Sequence, residues 1–284
     1  MMFKRFILIN CPGLGVGNIR NTSSSEHSLE KLLKYAYTKD LKPNLAGLET
    51  IGLGAFVKFA SPIARKVSTT AMLAAKTIHG EDDFSAYIEI GGGDKDNMGI
   101  WGQLENLSLI SICNDDTLLP TSEFVDVQSD GEAVSTILEY LSAPLTRNEL
   151  IVATLNDYRQ SALEKNPTFA TACLSQFSCL IEKCIIELGN EDALMAFSST
   201  AIDASIENNE NNTENNFRNE LLPMFFYTPS GQTNDLGLRL LCDIGPSIAD
   251  FFDIDRSNFA GATMGKWLFK KSNPQIEQET SLHS

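Results

Sequence analysis

The chain has 284 residues, 43% hydrophobic and 21% charged, which is apolar material for one large core and not the composition of a disordered, collagenous or coiled-coil chain. Its 37 acidic against 22 basic residues give a net charge of −15. That argues against nucleic acid or an anionic membrane surface as a partner, since a phosphate-tracking face needs clustered Lys and Arg, and it repels free anionic substrates unless a local basic pocket offsets the field.

The opening MMFKRFILIN carries a basic flank, but its apolar stretch is too short for a signal segment and no small-x-small cleavage site follows. It predicts a buried strand over 5–10 and a cytoplasmic protein. No apolar run approaches the ~20 residues that cross a bilayer. The glycine-rich turn PGLGVGN follows, then helical segments over 29–37 and 62–77. Residues 85–90 (SAYIEI), 107–113 (LSLISIC) and 150–156 (LIVATLN) are short apolar runs that predict strands covered on both faces. Between the last two, Val134, Ile137, Leu138 and Leu141 form a helical stripe ended by Pro144. Phe169, Cys173, Phe177, Leu180, Cys184 and Leu188 form a longer stripe, stopped at Gly189-Asn190. Strands are predicted again over 193–199 and 222–228. The Asn-rich stretch 207–219 between them is too poor in apolar residues to pack, so a flexible loop is expected. Ile244, Ile248 and Phe251 mark a last helix, with Asp243 as its expected N-cap. The polar tail, 272–284, is expected to be disordered. Strand and helix alternate, so the fold class is α/β: a three-layer α/β/α sandwich with a mostly parallel sheet, one domain over 1–271.

Six cysteines form no CxxC pair and sit mostly in apolar surroundings, which predicts buried free thiols. Only His27, His79 and His283 supply imidazole. Gly13, Gly15 and Gly17 let backbone N–H groups approach a phosphate, but the spacing is GxGxG and Asn18 stands where a dinucleotide fingerprint needs its last Gly, so a plain tight turn is the better reading. Cys11 ends the first strand, where open α/β sheets place ligands. With no base near it in sequence, an inert thiol is favoured over a nucleophile. The loop GGGDKDNMGIW carries Lys95, Asp96 and Asn97. Asn156, Asp157, Ser198, Ser199, Thr200 and Asp203 cluster at strand ends. No G-x-S-x-G elbow and no suitably placed His completes a hydrolytic triad among them.

These segments, in this order, resemble phosphopentomutase, within the group that holds alkaline phosphatase and cofactor-independent phosphoglycerate mutase. RFILINCPGLGVGN resembles that family's opening strand and its "LDxxGxG" turn, and PNLAGLETIGLG its "PNLxxLGLG" segment. GGGDKDNMGIWGQLE resembles its "GKDTxTGHWE" loop. ELLPMFFYTPSGQTNDLGLRLLCDIGPSIADFF resembles its closing strand and helix and is the most specific of the four. The resemblance implies an alkaline-phosphatase-like core. Its departures imply lost chemistry. The family holds two Mn²⁺-type ions with Asp and His. At the matching positions stand Pro12, Asn156, Leu163, Ser199, Thr200 and Asn216, none of which balances two dications. The family's phosphorylated Thr falls on Asn97, while Lys95 and Asp96 persist. The cap domain that would follow "HWE" is missing, since residues 101–105 run straight into LSLISIC.

The expected function is that of a catalytically degenerate, metal-free relative acting as a binding or protein-interaction module, with no cofactor. Loss of the cap is expected to uncover apolar surface near residues 100–105, and so to favour a homo-oligomer or a protein partner. A small ligand has candidate contacts in Lys95, Asp96, Asn97, Asn156, Ser199 and Thr200. The alternative is a metal-independent enzyme using Cys11, Asp157 or Asp203 as nucleophile or acid/base. A residual phosphomutase or phosphatase with another ligand set is the third reading.

Overall fold

The computed structural model describes residues 4–18, 27–56, 70–75, 83–91, 101, 107–113, 119, 123–206, 217–229, 236–257 and 259–269. In chain order these form β1 (Arg5–Asn10), β2 (Gly17–Asn18), α1 (Ser28–Thr38), α2 (Ala46–Thr50), β3 (Thr70–Ala75), α3 (Asp83–Gly91), β4 (Ser108–Cys113) and β5 (Glu123–Asp126). They continue with α4 (Asp130–Ser142), β6 (Glu149–Thr154), α5 (Asp157–Leu163), α6 (Pro167–Glu187), β7 (Asp192–Phe197), β8 (Glu220–Tyr227), β9 (Leu238–Leu240), α7 (Ile244–Phe251) and α8 (Gly265–Leu268).

The strands make one sheet in the order β5-β4-β6-β1-β7-β8-β3-β9, with β2 paired to β8. Among the described strands only β8 runs against the rest, pairing antiparallel with β7, β3 and β2. β1 is central and parallel to both neighbours, Asn10 facing Thr154 of β6 and Phe197 of β7.

The unbroken apolar run of β1 has a simple cause: both of its faces are covered. Ile7 and Ile9 enter a core shared with α1, α2, α4, α5 and α6, while Phe6 and Leu8 enter a second core shared with α3, α7 and α8. The layers are therefore helix, sheet, helix, as the alternation of elements predicts.

Two predicted elements are corrected. Residues 85–90 are not a strand but lie in α3. Ala86, Tyr87 and Ile90 recur there at helical spacing and are buried in the second core. A six-residue apolar run fits either period, and position in the fold decides. Within 62–77 the described residues form β3, not a helix. Met72 and Ala74 alternate into the second core, and the strand is held between β8 and β9. The remainder of that predicted helix, the Asn-rich stretch over 207–216 and the tail from 270 lie outside the described residues.

Asp243 occupies the N-cap position of α7 but makes no cap bond there. Its Oδ2 accepts the Leu240 N–H and its Oδ1 accepts the Ala262 N–H, so it ties the end of β9 to the segment before α8 instead. By length and composition α6 qualifies as a membrane span, contrary to the reading of the bare sequence. It packs instead on α1, α2, α4 and α5, with half of its apolar window buried. All six cysteines are free thiols, five of them buried and Cys179 half-buried.

Candidate functional site

The carboxyl ends of β1, β6 and β7 meet at the centre of the sheet, the place where open α/β folds bind ligands. The sequence candidates Cys11, Pro12, Asn156, Asp157, Ser199 and Thr200 all converge there. Lys95, Asp96, Asn97 and Asn216 lie outside the described residues. Leu163 does not join the group. It closes α5, roughly 9 Å along the helix from Asp157, and packs against the first core.

The meeting point is sewn shut by the chain's own polar groups. The ladder continues past the strand ends: Leu155 N–H donates to Asn10 O, Cys11 N–H to Phe197 O, Gly13 N–H to Thr200 O and Ile202 N–H to Gly13 O, at 2.9–3.1 Å. The Asn10 amide pairs with Ser199 twice, Nδ2 donating to Oγ at 3.1 Å and Oδ1 accepting the Ser199 N–H at 3.0 Å. Ser198 Oγ accepts the Leu14 N–H and donates to Thr200 O at 2.7 Å. Asn10, Ser198 and Ser199 have no solvent exposure, and Cys11 has 1%. Among the described residues, Thr200 Oγ1 and Tyr158 Oη, both buried, have no hydrogen-bond partner. Gly13, at φ +109°, lies against the Tyr158 ring: a Cβ there would sit 3.0 Å from two ring carbons, closer than ordinary contact, in a backbone conformation that side chains disfavour.

The glycine-rich turn after β1 is filled from within. Glu220, at the start of β8, reaches the first turn of α1. Its carboxylate accepts the Ser28 N–H at 3.1 Å and the Ser28 hydroxyl at 2.7 Å. A Cβ on Gly15 would fall 2.4 Å from Glu220 Oε2, so this glycine makes room for the carboxylate. A helix N-terminus favours a negative group, and here the chain supplies one.

The three acid/base and nucleophile candidates are each engaged structurally. Cys11 is buried, with its N–H in the β-ladder. Asp203, 2% exposed, accepts Lys31 Nζ at 2.7 Å and Ser205 Oγ at 2.6 Å, with Arg218 at 3.6 Å. Burial alone would raise its carboxyl. The bonds from Lys31 and Ser205 and the Lys31 charge outweigh this and hold it below the ordinary aspartate value. Asp157 bonds to the start of α4. In the segment expected to be uncovered by cap loss, Trp101 is buried instead, its indole N–H donating to Tyr87 O at 2.9 Å.

The donors do not fit a divalent cation. Among the described residues no group of three or more His, Cys, Asp and Glu is placed to hold a metal ion. Apart from the Asp157 carboxylate, which accepts the Asp130 N–H, the strand-end side chains are amide, hydroxyl, thiol and proline, with Asn10 and Ser199 bonded to each other. Asn10, Tyr158 and Glu220 escaped the sequence reading. Each acts through contacts distant in sequence, 189 positions in the case of Asn10 and Ser199.

No protein-family model matches the chain, and no curated protein sequence matches it. Solved structures do resemble it. The alkaline phosphatase of the Antarctic bacterium TAB5 has a TM-score of 0.55 at 10% identity, covering 90% of this chain and 100% of that one. The C-terminal periplasmic domain of EcEptC from Escherichia coli, in complex with Zn, gives 0.51 at 10% identity over 90% and 84%. A protein in the alkaline phosphatase superfamily from Vibrio parahaemolyticus gives 0.53 at 10% identity over 89% and 67%. At this identity the likeness establishes the fold, and the fold of this chain is that of the alkaline phosphatase superfamily.

Proposed function

We propose that this chain is a catalytically degenerate, metal-free relative of phosphopentomutase, without the cap domain, which acts as a binding or protein-interaction module. The observation that carries the reading is the chemistry at the strand ends. Pro12, Asn156, Ser199 and Thr200 stand at the positions where the resemblance calls for charged ligands, and Ser199 is bonded to Asn10 at full burial. Neutral side chains do not offset the desolvation and mutual repulsion of two dications. The Glu220 carboxylate at the start of α1 adds to this, since it fills a position that would otherwise suit a phosphate.

The resembling EcEptC domain is a complex with Zn, so the comparison sharpens the test. Purified protein assayed with p-nitrophenyl phosphate and with a pentose phosphate, in added Mn²⁺ or Zn²⁺, is expected to turn over neither above the buffer rate. Turnover that appears with metal and vanishes with chelator overturns the proposal.

A further inference from the structure

α4 and α5 begin at the same place, and their first residues hold each other. The Asp130 N–H donates to Asp157 Oδ2 at 3.2 Å, and the Asp157 N–H donates to Asp130 Oδ2 at 3.2 Å. Each carboxyl thus serves the opening turn of the other residue's helix, and the two acids come close enough to interact. Asp130 is 7% exposed and Asp157 is half-buried. A buried carboxyl beside a second negative charge resists ionising, and Asp130 is in that position.

We propose that Asp130 and Asp157 form a pH-responsive clasp between the N-termini of α4 and α5, closed while Asp130 holds its proton and loosened when Asp130 ionises. The groups facing the pair support this. From α5, Asp157 repels a charge on Asp130. From α6, Cys173 faces both acids and is itself pushed up to about 12 by burial and by Asp130, so it stays a neutral thiol. The Asn156 and Asp157 N–H groups favour the charged form of Asp130, but burial first and then the Asp157 charge outweigh them and push the Asp130 carboxyl to about 7. The helix N-termini hold the clasp together, and the second negative charge opposes it. Because Asn156 opens α5 beside the strand ends, loosening the clasp moves one wall of the site.

The sign follows from linkage. The folded chain keeps a proton that the unfolded chain releases near 4, so this contribution to stability is full below about 4, falls as pH rises toward about 7, and is gone above it. Asp130→Asn keeps an acceptor for the Asp157 N–H and cannot ionise. It is therefore expected to match the wild type below about pH 4, to be modestly more stable at pH 5 and to melt several degrees higher at pH 8. Carboxyl ¹³C resonances should place the Asp130 titration near neutrality, with exchange protection of the Asp130 and Asp157 amides falling across the same range beyond the intrinsic base catalysis. An Asp130 carboxyl that titrates near 4, or an Asp130→Asn variant no more stable than the wild type at pH 8, overturns the proposal.

Discussion

Replacing Arg5 with alanine is expected to destabilise the protein by about 3–5 kcal/mol, read as a lowered denaturant midpoint at unchanged slope. The Arg5 side chain, 4% exposed, donates from Nε to Glu149 Oε2 at 2.6 Å and from its two Nη atoms to the carbonyls of Leu141 and Ala143 at 3.0 Å. It joins the first residues of β1 and β6 and closes the end of α4, where a cation also meets the negative pole of the helix. Truncation leaves the Glu149 carboxylate, 14% exposed, without its cation and two carbonyls without a donor. Most of the loss is therefore the cost of stranding these groups. Arg5→Met combined with Glu149→Leu is accordingly expected to recover much of it. A loss under about 1 kcal/mol for Arg5→Ala would contradict this picture.

Gly47→Ala is expected to cost about 3 kcal/mol, because the added methyl meets backbone and not a side chain that can rotate away. The new Cβ would lie 2.0 Å from the Ser178 carbonyl oxygen and 2.8 Å from the Glu182 nitrogen, both in α6. α2 must then lift away, and lifting breaks two further bonds, those from the Gly47 and Leu48 N–H groups to Ser178 Oγ at 3.1 and 3.2 Å. Ser178→Ala, which removes only the shared acceptor, is expected to cost less than half as much. Thermal unfolding of the two variants side by side separates the contributions, and equal losses would show that crowding is not the cause.

The fold was legible wherever burial on both faces left a continuous apolar run. RFILIN, SLISIC and ELIVAT needed only their composition to be read as central strands. SAYIEI is of similar length and apolar content but sits on a helix, and only the surface it covers distinguishes it. β9, with Leu238 58% exposed and three residues in all, gives no period to read. The site was half legible. The sequence brought Cys11, Asn156, Asp157, Ser199 and Thr200 to one edge because each follows a strand of a parallel sheet. It did not reveal that Asn10 takes up Ser199, that Glu220 enters the start of α1 or that Lys31 neutralises Asp203. Those pairings join residues 172 to 192 positions apart and depend on how the helices lie across the sheet.

The most direct measurement on the central claim is metal retention. Protein purified without chelator, equilibrated with Mn²⁺ or Zn²⁺ and dialysed, is predicted to carry neither ion above the buffer blank by elemental analysis. Stoichiometric retention, lost when Asn156 or Thr200 is replaced by alanine, would contradict the account and restore a metal centre at the ends of β6 and β7.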